Sequence, residues 1–237
     1  MEQAFWHTYD FLELCAERGI RLNPEKYRFC RREVEFAGYH LSCEGYRRTD
    51  DCLAAIREFK MLTQPSITDI RSWYRFVNQV APFLATAPII EPLRGLLTHP
   101  VGKRIYWETQ LEEKMRMAKD TIYQLTKDEL AYFECTRPTA VVTDWSKEGL
   151  GFGLLQQHCE CVSTDVPFCC RNRWRLALCG SEHLTSAEAG YASVEGEALA
   201  VAWCLHKARL FLFRCPNLNL VAYDKYFASP QLSPSYS

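Results

Sequence analysis

Three acidic side chains in the second half of the chain lie in predicted strands and a helix that could place them close together. Thr139 to Asp144 is an apolar, β-branched run that ends on a carboxylate, and Leu218 to Asp224 repeats this pattern. Glu197 lies between them in a segment with helical periodicity. Carboxylates that converge without histidine or thiol ligands favour a hard cation. The sequence therefore predicts a Mg²⁺ or Mn²⁺ site formed by Asp144, Glu197 and Asp224.

The segment around Glu197 carries an apolar stripe that we expect to be buried. The stripe recurs at steps of three and four residues and consists of Tyr191, Val194, Ala198, Val201, Leu205, Ala208 and Leu212. Glu197 lies beside it, where a carboxylate is costly unless it is paired, protonated or bound to a cation. Glu195, two residues earlier, is predicted to be a solvated surface acid.

The elements around these acids follow the order of an α/β unit. Beyond Pro138 the patterns predict strand, strand, strand, long helix and strand, with Gly151 to Gln157 as the second strand. Upstream, the predicted elements are helices over Glu2 to Arg18, Asp51 to Lys60, Ile67 to Phe83 and Glu108 to Leu125. A strand is predicted over Glu33 to Ser42, and a turn signal at Glu44-Gly45 indicates a hairpin. The prolines at 65, 82, 88, 92 and 100 are expected to separate the helices. The fold class is predicted to be α+β or α/β.

Composition limits what else the chain could be. No apolar run reaches the roughly 18 residues that a membrane-spanning helix needs, and the start MEQAFWHTYDF lacks the features of a secretion signal. We expect a cytoplasmic or nuclear protein that is not secreted. Its formal net charge of −1 gives no overall support to nucleic-acid binding, so such binding must depend on local basic patches.

The cysteines allow a second kind of metal site. Twelve cysteines in a chain of this size, without a secretion signal, are expected to be free thiols. A zinc site could be drawn from His158, Cys159, Cys161, Cys169 and Cys170. However, C-x-C followed by a Cys-Cys pair differs from the usual knuckles with two to four intervening residues, so the spacing favours free thiols over zinc.

The second half resembles the RNase H domain of gypsy-type LTR retrotransposon reverse transcriptases. Ala140 to Gln157 is similar to the first hairpin of that domain, although Trp145 replaces a small residue in Thr-Asp-Ala-Ser. Leu184 to Val201 resembles the linker and first helix, in which the acid before an Ala-Leu or Leu-Leu pair is the metal ligand. This resemblance selects Glu197 over Glu195, and Asp224 corresponds to the acid that ends the fourth strand.

The first half resembles the end of the polymerase palm and the thumb of the same family. Gly19 to Lys26 and Val34 to Tyr39 are similar to the segment after the catalytic aspartates and to the hairpin that grips the primer end. This implies nucleic-acid contacts at Phe36, Gly38 and Tyr39. Arg171, Arg173 and Arg175 are further candidates for contacts with phosphate groups.

The resemblance implies four regions. Residues 1–48 correspond to the end of the palm with the primer-grip-like hairpin, 49–132 to thumb and connection helices, 133–225 to an incomplete RNase H-like domain, and 226–237 to a disordered tail. No Tyr-x-Asp-Asp motif occurs, so no DNA polymerase activity is expected. The last strand, the last helix and the fourth metal-binding aspartate of the family are also expected to be missing. Apolar faces at Phe5, Phe29 and Phe36 should be exposed and prone to association.

Two functions follow as expectations. The first is metal-dependent hydrolysis of RNA in RNA–DNA hybrids by Asp144, Glu197 and Asp224. The alternative is a catalytically inactive remnant that at most binds nucleic acid or a partner protein.

Overall fold

The computed structural model describes residues 2–98, 103–161, 169–170, 173–213 and 215–222, so the predicted sites at Asp224 and Arg171 lie outside the described residues. The helices are α1 (Glu2–Glu17), α2 (Asp50–Glu58), α3 (Ile67–Asn78), α4 (Thr86–Arg94), α5 (Thr109–Leu125), α6 (Ser193–Lys207) and α7 (Arg209–Leu212), with 3₁₀ turns at Gly95–Thr98 and Glu188–Gly190. The strands are β1 (Val34–Phe36), β2 (Tyr39–Leu41), β3 (Gly45–Arg48), β4 (Leu130–Ala131), β5 (Thr139–Trp145), β6 (Gly149–Gln157), β7 (Trp174–His183) and β8 (Leu218–Ala222). Among the described helices, none combines the length and the apolar character needed to span a membrane.

The first sheet is antiparallel and has the strand order β1-β2-β3-β4. The turn predicted at Glu44-Gly45 is confirmed and joins β2 to β3. The single strand predicted over Glu33 to Ser42 is wrong, because the chain reverses at Ala37 and Gly38, which have φ values of +50° and +78°. Positive φ at both central residues is typical of a tight two-residue hairpin turn, and glycine adopts it without steric cost.

The helical core beside this sheet is formed by α2 to α5 and contains Trp73, Val77, Met115 and Ile122. A capping box starts α3, where the Ser66 side chain accepts from the Asp69 backbone and the Asp69 carboxylate accepts from the Ser66 backbone. The prolines at 88 and 92 do not separate helices as predicted, because both lie within α4. Pro88 is in the first turn, where backbone N–H groups have no partner within the helix, and Pro92 costs one internal hydrogen bond.

The second sheet confirms the predicted order of strand, strand, strand, helix and strand. Its strand order is β7-β6-β5-β8, with β5 antiparallel to β6 and parallel to β8. Alternate residues of β5 and β6, including Val141, Phe152 and Leu154, pack beneath α6 with Cys204. The opposite face of the sheet, which includes Cys179 and Ser181 of β7, turns toward the helical core.

The buried face of α6 differs from the predicted stripe. Gly196, Ala200 and Cys204 are buried, as is Ala208 just beyond the helix, whereas the side chain of Val194 is 81% exposed. Small residues form this face because the helix lies close to the sheet. A Cβ atom added at Gly196 would stand 2.2 Å from Cδ2 of the Trp145 indole, so a side chain at this position collides with the ring.

The two sheets are linked through α4 and the β2–β3 turn. The backbone N–H of Ala87 donates to Oγ of Ser181 at 2.9 Å, and Arg94 donates to the carbonyl of Leu184 at 3.1 Å. At the other end, Arg175 donates to the carbonyl of Glu44 at 3.2 Å. These bonds join the helical unit to β7 and to the segment that follows it.

The N-terminal segment exposes much apolar surface. As predicted, Phe5, Phe29 and Phe36 are exposed, by 52%, 42% and 70% of their surface. In α1, further large side chains at Trp6 and Phe11 are also about half exposed, and Cys15 is the residue of this helix that is buried. Contiguous exposed aromatic surface of this kind favours association.

We expect Gly196→Ala to lower stability despite its better helix propensity. Alanine gains up to about 1 kcal/mol in a helix interior, but overpacking against the indole costs about 1–3 kcal/mol. Urea unfolding should therefore show a net loss, whereas Gly190→Ala, which adds a methyl into open space, serves as the control. A stabilised Gly196→Ala variant would contradict the close contact with Trp145.

We expect the chain to self-associate through the N-terminal aromatic residues. The variant Trp6→Ser/Phe11→Ser should lower both the weight-average mass in sedimentation and the binding of a hydrophobic dye. Met117→Ser removes a side chain that is 58% exposed on α5 and is the matched control. If the two variants associate equally, the self-association does not depend on Trp6 and Phe11.

Candidate functional site

Asp144 lies next to the end of β5, on the face opposite to α6. Its side chain is exposed, while the following Trp145 is buried against the helix. Gly151 is its partner across the β5–β6 ladder, and Ser181 of β7 follows Gly151 in the same row. With these two residues and Pro88 of α4, Asp144 lines a small pocket between the sheet and the helical unit. The carboxylate of Asp144 therefore lies at the edge of a pocket and is accessible to solvent.

Glu197 is partly buried in the first half of α6. It directly follows Gly196, whose backbone lies against the Trp145 ring, and Asp144 directly precedes Trp145. Asp144 and Glu197 are thus the direct chain neighbours of Trp145 and Gly196, the two residues at which β5 and α6 are in contact. Because side chains alternate along β5, that of Asp144 points to the other face of the sheet.

Both acids offer oxygen donors, which suit Mg²⁺ or Mn²⁺. Asp224 would follow β8, the strand that pairs with β5 in parallel and brings Ala222 opposite Thr143. The end of β8 is therefore one residue from the position of Asp144 in the register. The chemistry of the donors suits a divalent cation, but the side chain of Asp144 points to the face opposite to α6, and the three-acid site stays a prediction.

A different group of ligands is assembled in the described part of the chain. The sulfur atoms of Cys159, Cys161, Cys169 and Cys170 all lie within 4.8 Å of one another. The side-chain hydrogen bond from Gln157 lowers the pKa of Cys159 to about 6, whereas the hydrogen bond with Cys170 raises the pKa of Cys161 to about 12. Against the expectation from their spacing, the four thiols form one cluster, and His158 lies outside it.

His158 instead faces a cleft with several arginines. The cleft is lined by Cys43, Glu44, Tyr132, Phe133, Glu134, Arg137, His158, Arg173 and Arg175. Burial lowers the pKa of His158, and the positive charges of Arg137 and Arg175 lower it further. Arg137 is paired with Glu134 at 2.7 Å, while Arg173 is exposed. Of this basic cleft, the sequence pointed to Arg173 and Arg175 and missed Arg137, which only the fold brings beside them.

The predicted primer-grip-like residues differ in their surroundings. Phe36 is exposed at the hairpin turn, and a Cβ atom at Gly38 would lie 3.1 Å from Sγ of Cys52. Tyr39 packs inward, with its ring stacked on Phe83 at 6.2 Å and the guanidinium of Arg48 4.5 Å from its centre. Phe36 is thus the one of these three side chains that the hairpin presents to solvent.

Comparison with known proteins covers both halves of the chain. Residues 134–225 match the family described as the RNase H-like domain found in reverse transcriptase. The Pol polyprotein of transposon gypsy from Drosophila melanogaster is 26% identical over 225 residues, which are 90% of this chain and 20% of that protein. That of transposon opus from the same fly is 25% identical over 213 residues, 86% of this chain and 20% of the relative. The chain thus spans about a fifth of these relatives.

Solved structures show the same fold. The foamy viral protease-reverse transcriptase in complex with double-stranded DNA aligns with a TM-score of 0.77 at 15% identity, over 99% of this chain and 38% of that one. A complex of the foamy viral protein with an RNA/DNA hybrid aligns with a TM-score of 0.75 at 14% identity, over 100% and 35% of the two chains. Residues 134–225 are therefore an RNase H-like domain, and most of the chain is similar to the Pol polyproteins of gypsy-type retrotransposons.

Proposed function

We propose that this chain is an RNase H-type nuclease that hydrolyses the RNA strand of RNA–DNA hybrids with the help of a divalent cation. The observation that carries the proposal is the family match over residues 134–225, because this range contains Asp144, Glu197 and Asp224, and the first two lie on β5 and α6, the strand and helix predicted for them. Supporting it, the first two acids flank the Trp145–Gly196 contact, and β8 leads toward the third alongside β5.

Each acid has a separate part in this proposal. Asp144, Glu197 and Asp224 would hold the cation, which when bound supplies the positive charge that stabilises a developing phosphorane and its leaving oxygen. Asp144 is exposed and would face the phosphodiester directly. Glu197 is partly buried on α6, whose packing on β5 fixes the position of its backbone. The contact between Trp145 and Gly196 would therefore act as a positioning element for both carboxylates.

A second candidate function is binding of nucleic acid without cleavage. The arginine-lined cleft favours it, since Arg137, Arg173 and Arg175 lie together beside two aromatic side chains, Tyr132 and Phe133. Arginine neutralises phosphates and aromatic rings stack on unpaired bases. This cleft would bind a hybrid whether or not the carboxylates cleave it.

A cleavage assay on an RNA–DNA hybrid with Mg²⁺ separates the two functions. We expect Asp144→Asn and Glu197→Gln each to reduce the cleavage rate by about a hundredfold or more, because each removes a charged ligand of the cation. Glu195→Gln is the matched control on the same helix, since Glu195 caps the backbone N–H of Ala192 and an amide oxygen can still accept that bond.

The comparison also tests the choice of Glu197 over Glu195. If wild type and Asp144→Asn release the same amount of product, the activity is not that of this site. If Glu195→Gln does not cleave the hybrid while Glu197→Gln does, Glu197 is the wrong choice of metal ligand on α6.

Binding to the same hybrid without divalent cations reports on the cleft. We expect Arg173→Ala to weaken binding several-fold and to lower the salt dependence by about one phosphate contact. Arg116→Ala is the control, since Arg116 lies on α5 and pairs with Glu113 and Asp120. Fluorescence anisotropy over a range of salt concentrations measures both quantities, and an unchanged slope for Arg173→Ala would remove that residue from the interface.

A further inference from the structure

We propose that Cys159, Cys161, Cys169 and Cys170 bind one zinc ion, which joins the two arms of the loop between β6 and β7. This inference does not depend on the proposed nuclease function. It concerns a structural metal site that is separate from the predicted carboxylate site.

The sulfur geometry is close to what a tetrahedral site needs. Zinc–sulfur bonds of about 2.3 Å at tetrahedral angles place neighbouring sulfur atoms about 3.8 Å apart. Here the sulfurs of Cys159 and Cys169 are 3.4 Å apart and those of Cys161 and Cys170 are 3.2 Å apart, while all four lie within 4.8 Å of one another. Changes of up to about 1 Å in the sulfur–sulfur distances would complete the coordination shell.

The ends of the two strands hold the ligands in place. At the base of the loop, the N–H of His158 donates to the carbonyl of Arg173 at 2.7 Å, and the N–H of Arg173 donates to the carbonyl of Cys170 at 3.1 Å. The side-chain amide of Gln157 donates to Sγ of Cys159 at 3.2 Å and to the carbonyl of Cys161 at 3.1 Å. Hydrogen bonds of this kind orient metal ligands and stabilise charged thiolates.

The chemistry of the ligands selects the metal. Four thiolates favour zinc over Mg²⁺, because soft sulfur ligands suit borderline-soft ions and Mg²⁺ prefers oxygen. On binding, each thiol gives its proton to solvent, and Zn²⁺ with four thiolates carries a net charge of −2. The basic cleft begins at the adjacent residue, His158, and contains Arg137, Arg173 and Arg175. These positive charges favour a negatively charged cluster beside them.

The site would fix the position of Arg173, which is three residues beyond Cys170 and lies at the edge of the cleft. Since zinc binds the folded loop and cross-links its arms, the metal should also raise the thermal stability of the whole domain. The site would be structural rather than catalytic, because protein sulfur atoms occupy all four positions around the metal.

The test uses the full chain, purified with a reductant and then given zinc alone. We expect one zinc per chain by elemental analysis, and a cobalt-substituted form with the thiolate charge-transfer bands and intense visible bands of a tetrahedral tetrathiolate. Zinc should also protect these four thiols from alkylation, as read by peptide mapping, and raise the thermal midpoint of unfolding. The mapping and the spectra require no variant, so they hold even where a substitution prevents folding.

The matched variants are Cys159→Ser/Cys169→Ser and, as control, Cys30→Ser/Cys135→Ser, which changes two exposed cysteines outside the cluster. We expect the first to lose zinc and the shift in midpoint, and the second to keep both. Zinc retained by the first variant, or no zinc taken up by the reduced wild type, would overturn the proposal. So would mass spectrometry that finds the Cys159–Cys169 and Cys161–Cys170 pairs as disulfides in a protein that takes up no metal after reduction.

Discussion

The contact between the indole of Trp145 and the backbone of Gly196 determines how α6 lies on the second sheet. Because Gly196 has no side chain, α6 comes close enough to the sheet for its own residues Ala200 and Cys204 to be buried against the strands. Burial of a large aromatic ring against a helix backbone removes apolar surface from water at little cost in side-chain entropy. Both described acids of the predicted site are direct chain neighbours of this pair, so their backbone positions depend on it.

The second sheet is covered on both faces, and this couples the two halves of the chain. On one face lies α6, and on the other lies the helical unit, whose α4 meets β7 through the hydrogen bond from Ala87 to Ser181. Asp144 belongs to this second face and lies in the pocket between the units. The helical unit is therefore part of the surroundings of that carboxylate, although the match to the RNase H-like domain begins only at residue 134.

Secondary structure and burial could be predicted from the sequence where a single periodicity determines them, and less well where several elements pack together. The run from Thr139 to Asp144 is apolar and β-branched, and it forms β5. The stripe through Val194 was wrong, since hydrophobicity alone ranks valine above glycine and alanine, whereas close helix–sheet packing requires small residues. The prolines of α4 predict breaks rather than a helix, although Pro88 is tolerated in a first turn. The three-acid site itself rests on the resemblance and on strand register.

The cysteine cluster could not be recognised from linear spacing for a related reason. Zinc knuckles bring ligands together within one short turn, and their spacing follows from that turn. Here Cys159 and Cys161 follow one strand and Cys169 and Cys170 precede the next, so hairpin pairing brings the two pairs together. Hard carboxylates and soft thiolates are thus presented by separate parts of one sheet. Because Mg²⁺ prefers oxygen ligands, the proposed cysteine site would not take up the ion that is predicted for the carboxylates.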